Sequence, residues 1–226
     1  MKKVLFYIDS MQKGGANRVM ANLVDFFSKK NFNVILVNDI FSDKDIPEYE
    51  VNSAAKRIIL DVSGSNAIIS NYKRIRKLRK IIYEENPDCI LSFMGPPNIR
   101  MLLSSIFIPC RKVVSVRNDP NREYGKNFIK KIITNFIFLL ADGCVFQTED
   151  ASKYFIKSIR KKSTIIVNPV NEIFFNTPSS DIRKNVVTVG RLFPQKNHKL
   201  LIKAFSLFSE KNADENLIIY GEGPLK

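Results

Sequence analysis

From its third residue onward the sequence alternates short β-branched, apolar runs with longer stretches of helical periodicity, and this alternation constrains the fold more than any other feature. Strands are expected at Val4 to Ile8, Val34 to Val37, Arg57 to Leu60, Cys89 to Phe93, Val113 to Val116, Gly143 to Phe146, Thr164 to Val167, Val186 to Val189 and Leu217 to Tyr220. Helices are expected near residues 16 to 29, 66 to 85, 97 to 107, 124 to 141, 149 to 158 and 197 to 211. Such a series is the signature of βαβ units on a parallel sheet, so the fold class is α/β, doubly wound and Rossmann-like.

The rhythm breaks once. Asn168-Pro169-Val170 through Asn176-Thr177-Pro178-Ser179-Ser180 contains two prolines and a polar cluster, as a connection between domains does. The expected organisation is a first domain over residues 1–168, a linker over 169–182 and the start of a second domain over 183–226. That last piece holds one strand, one helix and one strand, about 45 residues, which rarely sustain a core alone. The second domain is therefore expected to be truncated.

Composition narrows the function classes. With 45% hydrophobic and 26% charged residues the chain has the balance of a soluble globular protein. It has no run of about 18 uncharged apolar residues, and its basic start leads directly into a strand without a cleavage site, so a cytoplasmic location is expected. Cys89, Cys110 and Cys144 are odd in number and far apart, and read as buried thiols rather than disulfides or a metal site. One histidine, His198, makes a zinc centre implausible. The 36 Lys and Arg against 22 Asp and Glu leave a formal charge of +14, which draws nucleic acid, anionic lipid or phosphorylated substrates without choosing among them.

Two loops carry possible chemistry. Asp9 to Arg18 follows the first strand and opens a helix, in the crevice where parallel α/β sheets bind ligands. Gly14 and Gly15 lack Cβ atoms, so a phosphate can approach the backbone N–H groups at the positive helix end; the alternative is a turn needed for chain geometry. The pattern is neither GxGxxG nor GxxxxGK[ST]. In the second loop, Val189-Gly190-Arg191-Leu192-Phe193-Pro194-Gln195-Lys196-Asn197, Arg191 and Lys196 stand at a strand end, and Asn197 is expected to cap the next helix. Two cations there suit a diphosphate whose charge grows as a bond to it breaks; the alternative is a solvated surface.

The GGANR loop, the NPV segment, VGRLFPQKNHKLLIKAF and the terminal LIIYGEGPLK together resemble the retaining glycosyltransferases of family 4, of GT-B fold and bacterial surface-polysaccharide type. The resemblance implies an acceptor-side first domain and a donor-binding second domain. It implies a UDP- or GDP-sugar donor, and a glycan or polyprenyl-phosphate-linked acceptor. No cofactor and no metal would be required, and the sugar would move with retention, the leaving phosphate helping to take the acceptor proton. Arg191 and Lys196 match the family's pair on the donor diphosphate, Gly14 and Gly15 its glycine loop, and Gly221 to Gly223 a loop beside the nucleotide. The E-x7-E segment of this family does not occur before Lys226, so the chain by itself is expected to be inactive.

Many relatives carry a histidine where this sequence reads Ser115-Val116-Arg117-Asn118-Asp119-Pro120, and the resemblance places Arg117 or Asn118 against the sugar or acceptor. Asp119 either accepts a proton or forms a turn before Pro120. Two basic helices, 71–85 and 124–141, offer an anionic membrane surface or are solvated faces of a lysine-rich protein. In the first, Tyr72, Ile75, Leu78 and Ile82 form the expected apolar stripe. In the second, Lys126, Lys130 and Lys131 precede an apolar stretch too short to span a bilayer. The resulting location is cytoplasmic, with the inner face of the plasma membrane as a peripheral site. The competing function is a basic nucleotide- or nucleic-acid-binding module; it lacks aromatic-interleaved RNA-binding strands and a helix-turn-helix. A fragment without function of its own is the third reading.

Overall fold

A computed structural model describes residues 1–41, 47–62, 64, 66–170, 175 and 185–226. They fall into two compact units, Met1–Pro169 and Val170–Lys226. Of the expected linker 169–182, only residues 169, 170 and 175 are among those described, and 183–184 also lie outside them.

In the first unit β1 (Lys3–Ile8), β2 (Asn33–Asn38), β3 (Lys56–Ile59), β4 (Cys89–Phe93), β5 (Arg111–Val116), β6 (Gly143–Phe146) and β7 (Ser163–Ile165) form one parallel sheet in the order β3-β2-β1-β4-β5-β6-β7. β1 shows why this is a buried sheet. Leu5 and Tyr7 point into one core with Leu78 and Ile82 of α2 (Ala67–Glu85), Met101 and Leu102 of α3 (Gly95–Ser104) and Phe138 of α5 (Phe128–Phe138). Val4, Phe6 and Ile8 point into another with Met20 and Val24 of α1 (Gly15–Lys29). Alternate side chains on a strand face opposite sides, so an unbroken apolar run is stable only with helices on both. Each such side chain contributes roughly 1.5–3 kcal/mol relative to exposure.

The amino ends of the strands are tied by charge. Glu85 pairs with Lys56 Nζ at 2.5 Å and Lys3 Nζ at 3.4 Å. Asp88 accepts from the Lys3 N–H at 2.6 Å, and Asp142 from the Lys112 N–H at 2.7 Å.

The helices depart from expectation in three places. The segment 124–141 is not one helix: α4 (Pro120–Glu123) ends at Tyr124, Gly125 turns the chain at φ +96°, and Asn127 caps α5 by accepting from Ile129 N–H at 2.8 Å. The helix expected over 149–158 is split into α6 (Glu149–Ser152) and α7 (Lys157–Lys161). Between them Tyr154 and Phe155 turn into an aromatic cluster with Tyr124, Phe138 and Phe146, while the Ile156 N–H donates to Asn135 Oδ1 at 2.8 Å. Burial of two rings outweighs helix continuity there. The stripe on α2 is also narrower than its spacing implies, since Leu78 and Ile82 are buried but Tyr72 is exposed.

The second unit contains β8 (Asn185–Val189) parallel to β9 (Asn216–Tyr220), joined through α8 (His198–Ser209), none of whose residues is buried. Cys110 and Cys144 are buried free thiols and Cys89 is half-buried; burial pushes the Cys144 thiol up to about 12.

Candidate active site

The order of the first sheet places its ligand crevice. β1 lies between β2 and β4, so the chain leaves β1 toward one edge and later returns to its other side; loops after β1 and β4 diverge at that point. After β1, Asp9 Oδ1 accepts from the Ser10 N–H at 2.9 Å and Asn17 Nδ2 donates to Ser10 O at 2.8 Å, closing the loop. Burial raises the Asp9 carboxyl above its ordinary 3.8. Gly14 is the N-cap of α1 and supplies no side-chain bond. A Cβ on Gly15 would meet nothing within 4 Å, so packing does not require glycine there; one on Gly14 would come within 3.2 Å of Asn17 Oδ1.

After β4, Met94 adopts φ +74°, a costly backbone conformation for a side-chain-bearing residue, and Gly95 opens α3. A Cβ on Gly95 would lie 3.2 Å from Glu123 Cβ. Glu123 is held over this turn with Oε1 accepting from Asn118 Nδ2 at 2.7 Å. Burial raises its carboxyl above 4.5, against the opposing pull of Asn118 and the Gly95 N–H, and the charge of nearby Asp9 adds to the rise.

The β5 loop brings Arg117, Asn118 and Asp119 to this rim. Arg117 is buried, with its guanidinium 4.9 Å from the Phe93 ring centre and Nη2 donating to Asn168 Oδ1. Its Nε is buried and has no hydrogen-bond partner among the described residues, and burial pulls the guanidinium below its ordinary value. Asp119 Oδ1 caps α4 by accepting from the Asn121 N–H at 3.0 Å, and Oδ2 lies 3.8 Å from Arg122 Nε. Asn118 and Asp119, with Gln147 and Thr148 of the next loop, line a cleft of about 380 Å³.

Beneath the rim is a polar network that the sequence reading did not single out. Tyr7 donates to Asp39 Oδ1 at 2.6 Å, and Arg100 donates from Nε to Tyr7 at 2.9 Å, from Nη1 to Asn71 at 2.8 Å and from Nη2 to Asp39. Asn98 joins three elements, accepting from Ser92 at 2.7 Å and donating to Ser115 O at 3.0 Å and Tyr124 at 3.2 Å. These bonds fix the strand ends that carry the loops. Met94, Gly95 and Glu123 also escaped the reading, and Asp9 entered it only as the start of its loop. An acidic residue directly after the first strand and the Gly-Pro-Pro after the fourth were the available signals.

In the second unit the loops leaving β8 and β9 lie side by side. Leu192 N–H donates to Glu222 O at 2.8 Å and Gly190 N–H to Tyr220 O at 2.9 Å. Gly221 and Gly223 are required by this approach, because their Cβ atoms would fall 1.9 Å from Gly190 O and 2.5 Å from Leu192 O. Arg191 is exposed and stacks 5.2 Å from the Phe193 ring centre, and the Lys196 stem runs beside Gly190. One expectation is corrected. Asn197 precedes α8 in a left-handed conformation (φ +50°) and makes no side-chain cap. His198 Nε2 lies 3.2 Å from Arg191 O, tying the helix start to the loop.

The sequence matches "Glycosyltransferase Family 4" over residues 13–172 and "Glycosyl transferases group 1" over residues 169–226. It is 30% identical, across 100% of its length, to the N-acetylgalactosamine-N,N'-diacetylbacillosaminyl-diphospho-undecaprenol 4-alpha-N-acetylgalactosaminyltransferase of Campylobacter jejuni, and covers 64% of that protein. It is 28% identical over 92% of its length to an uncharacterized glycosyltransferase of Methanocaldococcus jannaschii, of which it covers 58%. The fold is shared with Anabaena HepE, solved in complex with UDP and glucose: TM-score 0.66, 15% identity, covering 99% of this chain and 62% of that one. The chain thus spans roughly three fifths of the length of these proteins. A seven-stranded parallel sheet with its loops gathered at one rim, a Gly-Arg loop after β8, and a family match running through most of the first unit lead to one assignment: the chain belongs to glycosyltransferase family 4.

Proposed function

We propose that the protein carrying this chain transfers a sugar from a nucleoside diphosphate to a glycan or polyprenyl-phosphate-linked acceptor, with retention, in surface polysaccharide synthesis. The relative from Campylobacter is named for transfer to a diphospho-undecaprenol-linked saccharide, which supports a lipid-linked acceptor, and HepE was solved with UDP, which supports a UDP-sugar donor. The first unit is the acceptor side and the second the donor side. Such an enzyme works in the cytoplasm, at the inner face of the membrane that holds its acceptor.

The observation that carries the reading is the rim of the first sheet. Arg117 is a buried cation with no ion pair among the described residues, and its Nε is unsatisfied. A buried cation held by one amide and one ring, with no opposite charge beside it, is costly, and an anionic or hydroxyl-rich ligand lowers that cost. In this scheme Arg117 and Asn118 contact the transferred sugar or the acceptor, Asp119 sets their loop, and Gly14 and Gly15 let phosphate approach the amino end of α1. Arg191 and Lys196 neutralise the departing diphosphate, with Gly221 to Gly223 beside the nucleotide. No metal or cofactor enters the scheme; as the donor bond breaks, the leaving phosphate oxygen takes the acceptor hydroxyl proton on the same face.

The test is incubation of the whole protein with UDP- and GDP-sugars and a polyprenyl-diphosphate-linked saccharide. Nuclear magnetic resonance should show a product with the donor's anomeric configuration. Absence of transfer from every nucleotide sugar, together with tight and steeply salt-dependent oligonucleotide binding, would replace the proposal with the nucleic-acid reading.

A further inference from the structure

Helix α5 is amphipathic in the inverted sense. Its inward face is Thr134, Asn135 and Phe138, two of the three polar. Its outward face is apolar: Phe128, Ile129, Ile132, Ile133 and Phe136 are exposed, Phe128 by 76% and Phe136 by 74%. Positions 128, 132 and 136 recur every four residues and so form one ridge, which Leu139 and Leu140 continue past the helix end. Ile156, half exposed, borders a groove of about 320 Å³ along this ridge. Soluble monomers rarely expose a contiguous apolar surface of this kind without using it.

The charged side chains on the helix and its approach have one sign. Lys126, Lys130 and Lys131 stand at its amino end, and α7 contributes Lys157, Arg160 and Lys161 beside Ile156. No acidic residue occurs between Tyr124 and Ala141. The other basic helix differs. On α2, Lys77 donates to Leu60 O at 2.6 Å, Arg79 to Ser104 O at 3.0 Å and Ile106 O at 2.8 Å, and Arg74 to Val62 O at 3.3 Å. Three of the six basic side chains that mark α2 in sequence are thus engaged in holding neighbouring loops.

We propose that the α5 ridge is a membrane-docking surface that lies in the interfacial zone of an anionic bilayer, with Phe128, Ile132 and Phe136 among the acyl chains and the surrounding lysines on lipid phosphates. At 11 residues, α5 is about 16 Å long, too short to cross a membrane and suited to lying flat in one leaflet. Charge selects this occupant over a second copy of the chain, because a symmetric contact through α5 sets the same lysines against one another. The inference goes beyond the transfer reading and does not rest on it, because docking is measured without turnover.

The test is co-sedimentation of the whole protein with phosphatidylglycerol-containing vesicles and with neutral phosphatidylcholine vesicles. Binding to the anionic vesicles is expected, weakened by salt. The pair Phe128→Ser and Phe136→Ser should abolish it; these side chains are already exposed, so folding is preserved. Removing three cations with Lys126→Gln, Lys130→Gln and Lys131→Gln should lower partition about a hundredfold, whereas Lys73→Gln, Arg76→Gln and Lys80→Gln on α2 should change it little. A polarity-sensitive dye attached through Phe136→Cys should move to a less polar environment only when anionic vesicles are added. The proposal is overturned if the unmodified protein ignores both vesicles, if the α5 and α2 variants behave alike, if the dye is already shielded without lipid, or if the serine pair converts a stable dimer to monomers.

Discussion

Asn118 and Glu123 are joined by a 2.7 Å hydrogen bond in which the amide donates to a half-buried carboxylate. Because burial raises the Glu123 carboxyl, folding favours its protonated form, and the sign of the pH effect follows. The stabilising contribution is fully present below the unfolded value of 4.5 and is lost as pH rises through the higher folded value. Urea unfolding of Glu123→Gln should show a flatter stability profile above pH 4.5 than the unmodified protein does; parallel profiles would count against this role.

The Tyr7–Asp39–Arg100 network yields a stability prediction. Arg100→Met leaves the buried Asp39 with Arg74, whose Nε lies 3.9 Å away, as its remaining cation, and should cost about 3 kcal/mol in urea midpoint analysis. Adding Asp39→Asn to it should recover much of the loss. Equal losses in the single and double variants would show that shape, rather than the weakened charge pairing, dominates.

Gly15 and Gly221 should respond in opposite ways. Gly221→Ala forces a methyl to 1.9 Å from Gly190 O, so the β8 and β9 loops must separate, and a drop in melting temperature is expected. Gly15→Ala meets no atom within 4 Å and should leave the melting temperature unchanged. On the proposed function it should nonetheless weaken nucleotide-sugar affinity, which calorimetry can measure.

Arg191→Ala and Lys196→Ala remove exposed cations from the β8 loop. Both should leave unfolding unchanged while lowering turnover of the whole protein, about a hundredfold for Arg191 by analogy with the loss of other groups that stabilise transition-state charge. Unchanged turnover in Arg191→Ala removes the diphosphate assignment.

The positions of these groups were unequally legible in the sequence. All nine expected strands occur, because a short β-branched, apolar run leaves a local signature whether the strand is covered on both faces, as β1 is, or largely exposed, as β8 is. The glycine loop and the Gly-Arg loop were visible because each sits immediately after such a strand. Glu123 was not, since its place is set by where the chain goes after Asp119 and by the turn at Gly125, neither of which has a periodicity. The split at Tyr154 and Phe155 was hidden for a related reason: a helical pattern says nothing about two rings required elsewhere in the core. Arg74, Lys77 and Arg79 read in sequence as part of a membrane-facing or solvated basic face, because the carbonyls they hold are 12 to 27 positions away.

The lysine, glutamate and aspartate ties at the amino ends of the strands have a practical consequence. They occupy the rim opposite the loops that follow β1, β4, β5 and β6, so an attachment point introduced on that side would leave those loops unobstructed. The whole protein immobilised there could be washed with candidate donors and acceptors in turn, which on the proposed function those loops would bind.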